Sequence, residues 1–223
     1  MLMAIEGADC SGKSSVAKAL AVRLNAKLIS FPNDNDYTGP MIREYLAHGW
    51  RIRLLPYKDS FDRECDQDLR AKMGTLAFQA LQVANRMSVM PTLEKAEASG
   101  DPFHADTLVL ARYWQSGWVY GSLDGLDVNW LKAVHQSMAH AHFNFLLDVE
   151  PEEALRRLTS RGLPSERYEG KLSFTTKVVD LYRELWKQES EYNGGWRVID
   201  ANQPFAKVCL DCWSHISGQP WSK

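Results

Sequence analysis

Short apolar runs alternate along this chain with longer segments in which apolar residues recur every three or four positions. The apolar runs predict five strands, at 2–5, 27–31, 106–111, 142–148 and 196–200. The helical spacing predicts seven helices, at 13–24, 38–48, 68–98, 127–138, 151–161, 171–191 and 203–216. Because strands that alternate with helices are typical of βαβ units, the pattern predicts a parallel five-stranded sheet in a three-layer α/β/α sandwich.

Neither a low-complexity linker nor an internal repeat divides the chain, so we expect a single domain over 1–223. Two segments fit the alternation least well. Residues 48–68 mix charged and aromatic side chains, and we interpret them as a surface loop or a short extra helix. Residues 156–170 contain Gly162 and Pro164 between two predicted helices, which is typical of a small lid.

The strongest chemical signal lies between the first predicted strand and the first predicted helix. It reads Gly7-Ala8-Asp9-Cys10-Ser11-Gly12-Lys13-Ser14-Ser15, which contains the G-x-x-x-x-G-K-S pattern of a phosphate-binding P-loop. Glycines let backbone N–H groups point at phosphate oxygens, and the N-terminus of the helix adds partial positive charge. Lys13 is expected to contact the β- and γ-phosphates, and Ser14 to bind Mg²⁺. The nine residues are therefore predicted to bind a nucleoside triphosphate in a fold of the P-loop NTPase type.

Composition narrows the range of partners. With 26 Lys and Arg against 28 Asp and Glu, the chain lacks the broad basic field that a nucleic-acid polymer requires. A run of apolar residues long enough for a membrane span does not occur, and the N-terminus does not resemble a signal peptide. Cys209 and Cys212 are interpreted as packed thiols of a helix rather than a redox or zinc site. We therefore expect small phosphorylated ligands and a reducing, cytoplasmic location.

Further motifs follow the P-loop in a fixed order. Beginning with Glu6-Gly7-Ala8-Asp9, they are Phe31-Pro32, Ala84-Asn85-Arg86, Arg112-Tyr113 with Ser116 and Tyr120, Leu147-Asp148-Val149-Glu150-Pro151-Glu152, Glu166-Arg167-Tyr168-Glu169 and Val198-Ile199-Asp200-Ala201. The ordered set resembles the thymidylate kinases, a family of P-loop nucleoside monophosphate kinases. The resemblance implies transfer of the γ-phosphoryl group of ATP, with Mg²⁺, to a deoxynucleoside monophosphate, most of all dTMP. It also implies a homodimer.

The resemblance further implies an acceptor site. Its predicted residues are Phe31, Pro32, Phe78, Gln82, Arg86, Arg112, Ser116 and Tyr120. Arg112 is assigned to the acceptor phosphate, because its planar, permanently charged fork can contact two oxygens and it follows a strand at its carboxyl end. Phe78, Gln82 and Arg86 share one helix face, which is expected to meet the base. Tyr120 is expected to lie against the deoxyribose.

The predicted catalytic residues are Asp9, Lys13, Arg112, Arg161 and Arg167. Members of the family carry a catalytic arginine either inside the P-loop or in the lid. Since Cys10 occupies the position in the loop, Arg161 and Arg167 are expected to clamp the ATP phosphates when the lid closes. Asp9 is expected to orient the acceptor and the phosphate-binding groups. At least one of Arg156 and Arg157 is interpreted as a solvated charge of a helix.

Two substitutions depart from the family pattern inside the predicted site. Ala111 stands where the family usually has an aspartate that supports Mg²⁺ through water. Gln82 stands where some members have an aromatic residue that stacks on the base. Stacking by Phe78 or Trp114 would compensate, whereas an amide also fits a different base.

A third departure concerns the loop 33–36, which lacks an arginine that some members use on the acceptor phosphate. Arg43 or Arg51 are candidates to replace it. These departures leave two alternatives open: a kinase for dGMP, dAMP or a modified dUMP, and a non-catalytic nucleotide-binding relative.

Overall fold

The structure is a computed structural model that describes residues 1–48, 67–161, 171–190 and 195–218. The strands in these ranges are β1 (Leu2–Glu6), β2 (Lys27–Ser30), β3 (Leu108–Ala111), β4 (Phe143–Asp148) and β5 (Trp196–Asp200). They form one parallel sheet in the order β2-β3-β1-β4-β5. Ile5 of β1 is level with Ala111 of β3 and Phe145 of β4, so the segments after these three strands emerge side by side. The predicted five-stranded parallel sheet is confirmed.

Helices connect the strands. Those in the described ranges are α1 (Lys13–Leu24), α2 (Thr38–His48), α3 (Gln67–Met87), α4 (Met90–Ser99), α5 (Trp114–Leu123), α6 (Val128–His135), α7 (Pro151–Arg161), α8 (Leu172–Ser190) and α9 (Phe205–Ser217). Within the described ranges, no helix combines the length and the apolarity that a membrane span needs.

Apolar residues cover both faces of the sheet. Met3 and Ile5 of β1 belong to a cluster with residues of α1, α8 and α9, whereas Leu2 and Ala4 belong to a second cluster with residues of α4. Because successive residues of a strand point to opposite faces, each face of β1 is buried under helices. This arrangement confirms the predicted three-layer sandwich.

The predicted continuous helix over 68–98 is wrong. The structure divides it into α3 and α4, with Ser88 and Val89 between them. Pro91 stands in the first turn of α4. Its ring lacks an N–H group and would clash with the carbonyl group four residues earlier, so α3 cannot continue through it.

Helix α5 was missing from the elements that the sequence predicts. Residues 115–121 are all buried, so the helix has no polar face that would make it amphipathic. Gly117 and Gly121 also lower its intrinsic helix propensity. The fold decides its conformation, because the helix packs against α3, α6 and α8.

The remaining predicted elements are observed with ends within three residues of the expected ones. The predicted extra segment 48–68 lies outside the described residues except at its two ends. Of the predicted lid, 156–161 forms the end of α7, and 162–170 lies outside the described residues.

Candidate active site

The loop that joins β1 to α1 lies at the centre of the carboxyl edge of the sheet, where open α/β sheets bind their ligands. Gly7 and Gly12 have φ angles of 138° and 96°, which L side chains rarely adopt. A Cβ atom on Gly7 would lie 2.5 Å from the carbonyl oxygen of Leu147 in β4. Ser14 and Ser15 are exposed at the N-terminus of α1. The loop therefore has the backbone shape and the open helix end that a phosphate group requires.

Lys13 is buried inside this loop. Its Nζ atom donates a hydrogen bond to the carbonyl oxygen of Ala8 and lies 3.9 Å from the carboxylate of Asp9. Burial, assisted by the charge of Arg112, lowers the pKa of Lys13 to about 7. The ammonium group is therefore held at the phosphate site at a cost in free energy, and an anionic ligand would relieve that cost.

Asp9 joins the loop to the segment that follows β3. One carboxylate oxygen accepts a hydrogen bond from Arg112, and the other accepts one of 2.8 Å from the Tyr120 hydroxyl. Burial acts to raise the pKa of Asp9, but the charges of Arg112 and Lys13 outweigh it and hold the pKa below its ordinary value. Asp9 is therefore an ionised bridge between the predicted donor and acceptor sides.

Arg112 follows β3 directly and takes a left-handed backbone conformation, with φ at 67°. Its backbone N–H group donates a hydrogen bond of 3.0 Å to the carbonyl oxygen of Ile5. Its guanidinium lies 5.6 Å from the ring centroid of Tyr120, and Nη1 donates to Ser116 at 3.4 Å. A non-glycine residue in this region stores backbone strain, which is common at functional sites. The strained turn directs the guanidinium toward the P-loop.

The carboxylate of Glu6 stabilises the segment that follows β3. Glu6 is not among the site residues predicted from the sequence. Its buried carboxylate accepts hydrogen bonds from the Tyr113 N–H group at 2.5 Å, the Ser116 hydroxyl at 2.8 Å and the Tyr182 hydroxyl at 2.9 Å. The Ser116 hydroxyl is thus bound to the protein, although the residue does line the cleft. A lone acidic residue at the end of an apolar strand was the signal in the sequence that could have revealed this role.

One cleft of about 360 Å³ runs from the P-loop to α3. The predicted residues that line it are Asp9, Cys10, Gly12, Lys13, Ser14, Ser15, Phe31, Pro32, Gln82, Arg86, Arg112, Ser116 and Tyr120. Gly7, Ala8 and Ser11 are buried behind the loop, where they shape it. The structure therefore brings these thirteen residues of the predicted donor and acceptor sides together in one cavity.

Phe78 is absent from the described lining of this cleft. It is fully buried and stacks on Tyr45 of α2, with 3.9 Å between the ring centroids. Trp114 is also absent from the described lining, and its ring packs near His135. Among the described residues, the aromatic rings that line the cleft are those of Phe31 and Tyr120.

Arg86 and Gln82 form the wall of the cleft on α3. The Arg86 side chain is only 2% exposed, and burial lowers its pKa to about 10. Its Nη2 atom donates to Gln82 Oε1 at 3.3 Å, and the guanidinium lies 5.9 Å from the ring centroid of Phe31. In the described part of the chain, Nε and Nη1 of Arg86 have no hydrogen-bond partner. Arg86 therefore presents buried donors beside the cavity.

Arg43 and Arg51 are the candidates to replace the arginine that loop 33–36 lacks at the acceptor phosphate. Arg43 lines the cleft, and its guanidinium forms a two-point pair with the Asp34 carboxylate at 3.0 and 3.1 Å. Both side chains are exposed, so the pair contributes little to stability and can open. Arg51 lies outside the described residues.

Arginines of α7 have different surroundings. Arg156 is 70% exposed and binds Glu153, which agrees with a solvated helix charge. The Arg157 guanidinium donates to the carbonyl oxygen of Ala201 at 2.8 Å and to that of Cys10 at 3.4 Å. Arg157 therefore connects α7 to the P-loop, a role that the sequence did not reveal. The side chain of Arg161 and the whole of Arg167 lie outside the described structure, so the predicted phosphate clamp remains a prediction.

A site for Mg²⁺ is expected at Ser14, which lines the cleft and offers a hydroxyl oxygen, a hard ligand. The carboxylate of Asp148, at the end of β4, accepts hydrogen bonds from Arg183 at both of its oxygens, at 2.9 and 3.1 Å. Among the described residues, no group of three or more His, Cys, Asp or Glu side chains could hold a metal ion. Because Mg²⁺ keeps several waters and binds phosphates, one hydroxyl ligand is compatible with such a site.

A family model described as thymidylate kinase matches residues 72–210, more than half of the chain. The chain belongs to the thymidylate kinase family. Members of this family are ATP-dependent nucleoside monophosphate kinases, in agreement with the motifs in the sequence.

Relatives of the chain cover most of its length. The thymidylate kinase of Arabidopsis thaliana is 28% identical over 212 residues, which are 93% of this chain and 67% of that protein. The probable thymidylate kinase of Methanocaldococcus jannaschii is 29% identical over 203 residues, 91% of this chain and 88% of that protein. A solved structure of thymidylate kinase from Candida albicans matches with a TM-score of 0.72 and 24% identity, and covers 97% of this chain and 91% of that one. The structural match establishes the shared fold.

Proposed function

We propose that this chain transfers the γ-phosphoryl group of ATP to dTMP and forms dTDP and ADP. The observation that carries the proposal is the bond between Asp9 and Arg112, because it attaches the arginine assigned to the acceptor phosphate to the loop that fits the donor. Phosphoryl transfer needs two phosphates held in line and their charge neutralised, with no covalent intermediate. The names of the relatives support dTMP as the acceptor.

On the donor side, the backbone N–H groups of residues 7–15 would bind the ATP phosphates. The Lys13 ammonium would contact the β- and γ-phosphates. Mg²⁺, when bound through Ser14 and the phosphates, supplies charge neutralisation on the bridging oxygens. Ala111 at the end of β3 offers no ligand, so water and phosphate oxygens would have to supply the other ligands of the ion.

On the acceptor side, the Arg112 guanidinium would bind the monophosphate with two parallel hydrogen bonds. Asp9 fixes its orientation, and the Tyr120 ring beside it would lie against the deoxyribose. Arg161 and Arg167 remain our candidates for the charge that closes over the transferred group. The phosphoryl group would then move between two sites that a single carboxylate connects.

The base is proposed to lie between Phe31 and the wall formed by Gln82 and Arg86. Nε of Arg86 is a hydrogen-bond donor without a partner in the described residues, and the keto oxygen of thymine is an acceptor. The amide of Gln82 is held by Arg86, so it would contact the base by hydrogen bonding instead of stacking. A pyrimidine with a keto group therefore suits this wall.

Two further expectations accompany the activity. A homodimer is proposed from the resemblance to the family, and the mass in solution, measured by light scattering after gel filtration, tests it. A reducing, cytoplasmic location is proposed because Cys209 and Cys212 are buried free thiols whose pKa values burial raises.

Diphosphate formation from a panel of acceptors tests the proposed function. Purified protein is incubated with ATP, Mg²⁺ and each deoxynucleoside or ribonucleoside monophosphate, and the products are separated by ion exchange. We expect dTDP to form fastest, and Lys13→Ala to abolish turnover. Faster product formation from a purine would overturn dTMP as the acceptor. ATP binding without any product would overturn the kinase itself.

A further inference from the structure

A small polar junction lies behind Arg86, where α3, α5 and α6 meet. Arg86 of α3, Gly117 of α5 and His135 of α6 contribute to it. None of the three side-chain nitrogens Arg86 Nε, Arg86 Nη1 and His135 Nε2 has a hydrogen-bond partner within the described ranges. Buried polar atoms in folded proteins are usually satisfied, so this concentration of unpartnered nitrogens at one junction requires an explanation.

Arg86 is a buried cation on which the Glu6 carboxylate acts electrostatically, but its hydrogen-bond acceptor among the described side chains is neutral. Gln82 Oε1 takes one hydrogen bond, and the Phe31 ring faces the guanidinium. The described side chains make no ion pair with Arg86, so nothing within bonding distance neutralises its charge there. A buried cation without a directly bonded counterion needs further acceptors to hold it.

His135 can provide such an acceptor. Its Nδ1 atom lies 2.7 Å from the carbonyl oxygen of Leu131, and a carbonyl group only accepts, so Nδ1 carries the proton. Burial and the charge of Arg86 lower the pKa of His135 to about 4, which keeps the ring neutral. The lone pair is therefore on Nε2, the atom that has no described partner.

Gly117 brings the two side chains to the same point. A Cβ atom on Gly117 would lie 2.7 Å from His135 Nε2 and 3.5 Å from Arg86 Nη1. The acceptor atom Nε2 of His135 and the donor atom Nη1 of Arg86 thus border the same small gap beside Gly117. Any larger residue at this position would fill that gap.

We propose that His135 is a positioning residue for Arg86, and that Gly117 is required because it keeps open the space through which Nε2 and Nη1 interact. His135 holds the guanidinium toward the cleft as a neutral acceptor, so the charge of Arg86 stays available for a ligand oxygen. Its contribution to acceptor binding rests on the proposed function, whereas its contact with Arg86 does not.

The contact is tested by an NMR titration of the histidine side chains of the full chain. In the wild type, we expect a neutral ring for His135, protonated at Nδ1, down to about pH 4. Arg86→Gln should raise the pKa of His135, because the positive charge that disfavours the imidazolium is removed. Arg156→Gln, on the exposed face of α7, is the control and should leave it unchanged. An unchanged pKa in Arg86→Gln would overturn the proposed contact.

The effect on the acceptor is tested with two variants at His135. His135→Leu should raise the KM for dTMP about tenfold, the effect of losing one hydrogen bond to a charged group. The KM for ATP should stay within about twofold, since His135 does not face the donor site. His135→Gln keeps a neutral acceptor at the position of Nε2 and should restore most of the KM. Equal KM values for the Leu and Gln variants would show a role in packing alone.

Gly117→Ala and Gly121→Ala form a matched pair on α5. A Cβ atom on Gly121 would meet the Leu131 side chain at 2.6 Å, so both substitutions crowd the helix, but only the first reaches Arg86 and His135. Both should lower the melting temperature, and only Gly117→Ala should raise the KM for dTMP. A similar rise in both variants would contradict the proposal. If the wild type phosphorylates another monophosphate faster, the KM values of the Gly117→Ala and Gly121→Ala variants are compared with that acceptor. Such a result overturns dTMP as the acceptor but not the contact between His135 and Arg86.

Discussion

The Tyr120 hydroxyl on α5 donates a hydrogen bond of 2.8 Å to the Asp9 carboxylate in the P-loop. Arg112 binds the other oxygen of the same carboxylate. A single acidic side chain of the phosphate-binding loop therefore orients two residues that belong to the opposite side of the cleft. Asp9 therefore connects the donor side to the acceptor side, and substitutions of Tyr120 and Arg112 should affect use of the acceptor.

Tyr120→Phe removes the hydroxyl and keeps the ring. We expect kcat/KM for dTMP to fall about tenfold, because a hydrogen bond to a charged group is lost and Asp9 becomes less well oriented. Steady-state kinetics with varied dTMP measure the effect. Tyr37→Phe is the control, since Tyr37 is 97% exposed. A loss of the same size in both variants would contradict a specific role for the Tyr120 hydroxyl.

Arg112→Lys keeps the positive charge and removes the planar fork. Since an ammonium group cannot make two parallel hydrogen bonds to one phosphate, we expect the KM for dTMP to rise about tenfold or more. The KM for ATP should change little. Arg43→Lys alters an exposed arginine of the same cleft and should have a smaller effect. If the ATP constant changes and the dTMP constant does not, the assignment of Arg112 to the acceptor phosphate is wrong.

Arg157 and Arg156 provide a matched comparison on α7. Both bind Glu153, but only the Arg157 guanidinium also reaches the carbonyl oxygens of Cys10 and Ala201. Arg157→Gln should raise the KM for ATP about tenfold, because the P-loop loses a support. Arg156→Gln should stay within about twofold, as is usual for an exposed ion pair. Steady-state kinetics with varied ATP measure both KM values, and equal values for the two variants would refute the role of Arg157.

The lowered pKa of Lys13 predicts a pH dependence. In the ligand-free protein, the pKa of about 7 lies below the ordinary value of a lysine, so between pH 7 and pH 10 the unfolded chain binds more protons than the folded chain. The free energy of unfolding should therefore rise with pH over this range, and Lys13→Met should lose that component. Denaturant titrations of both proteins at several pH values measure the difference.

ATP binding should also change the protonation of Lys13. Phosphate oxygens favour the charged ammonium group, so binding at pH 8 should take up a proton at Lys13. Calorimetry in two buffers of different ionisation enthalpy detects this uptake. Lys13→Arg remains charged throughout and should show less uptake. Identical uptake by the two proteins would show that Lys13 is already charged in the free site.

The limits of the sequence are visible in particular elements. Pro91 lies within the predicted helix 68–98. A proline is tolerated in the first turn of a helix but interrupts a helix elsewhere, and the spacing of apolar residues does not show which of the two applies. Helix α5 has no polar face, so its pattern did not distinguish it from a buried loop. Phe78 was expected at the cleft with Gln82 and Arg86, yet it is buried against Tyr45 and is absent from the described lining. These outcomes depend on neighbours that are distant along the chain.

By itself, the sequence determined the parallel sheet, the P-loop and the family, because strand periodicity, glycine conformations and ordered motifs are encoded in short segments. Only the tertiary structure decided the partners of the charged groups. Asp9 meets Arg112 because β1 and β3 are neighbours in register, and Arg157 reaches Cys10 because α7 returns to the P-loop. Such contacts arise when long-range packing removes side chains from water, because a buried charge without a partner is costly.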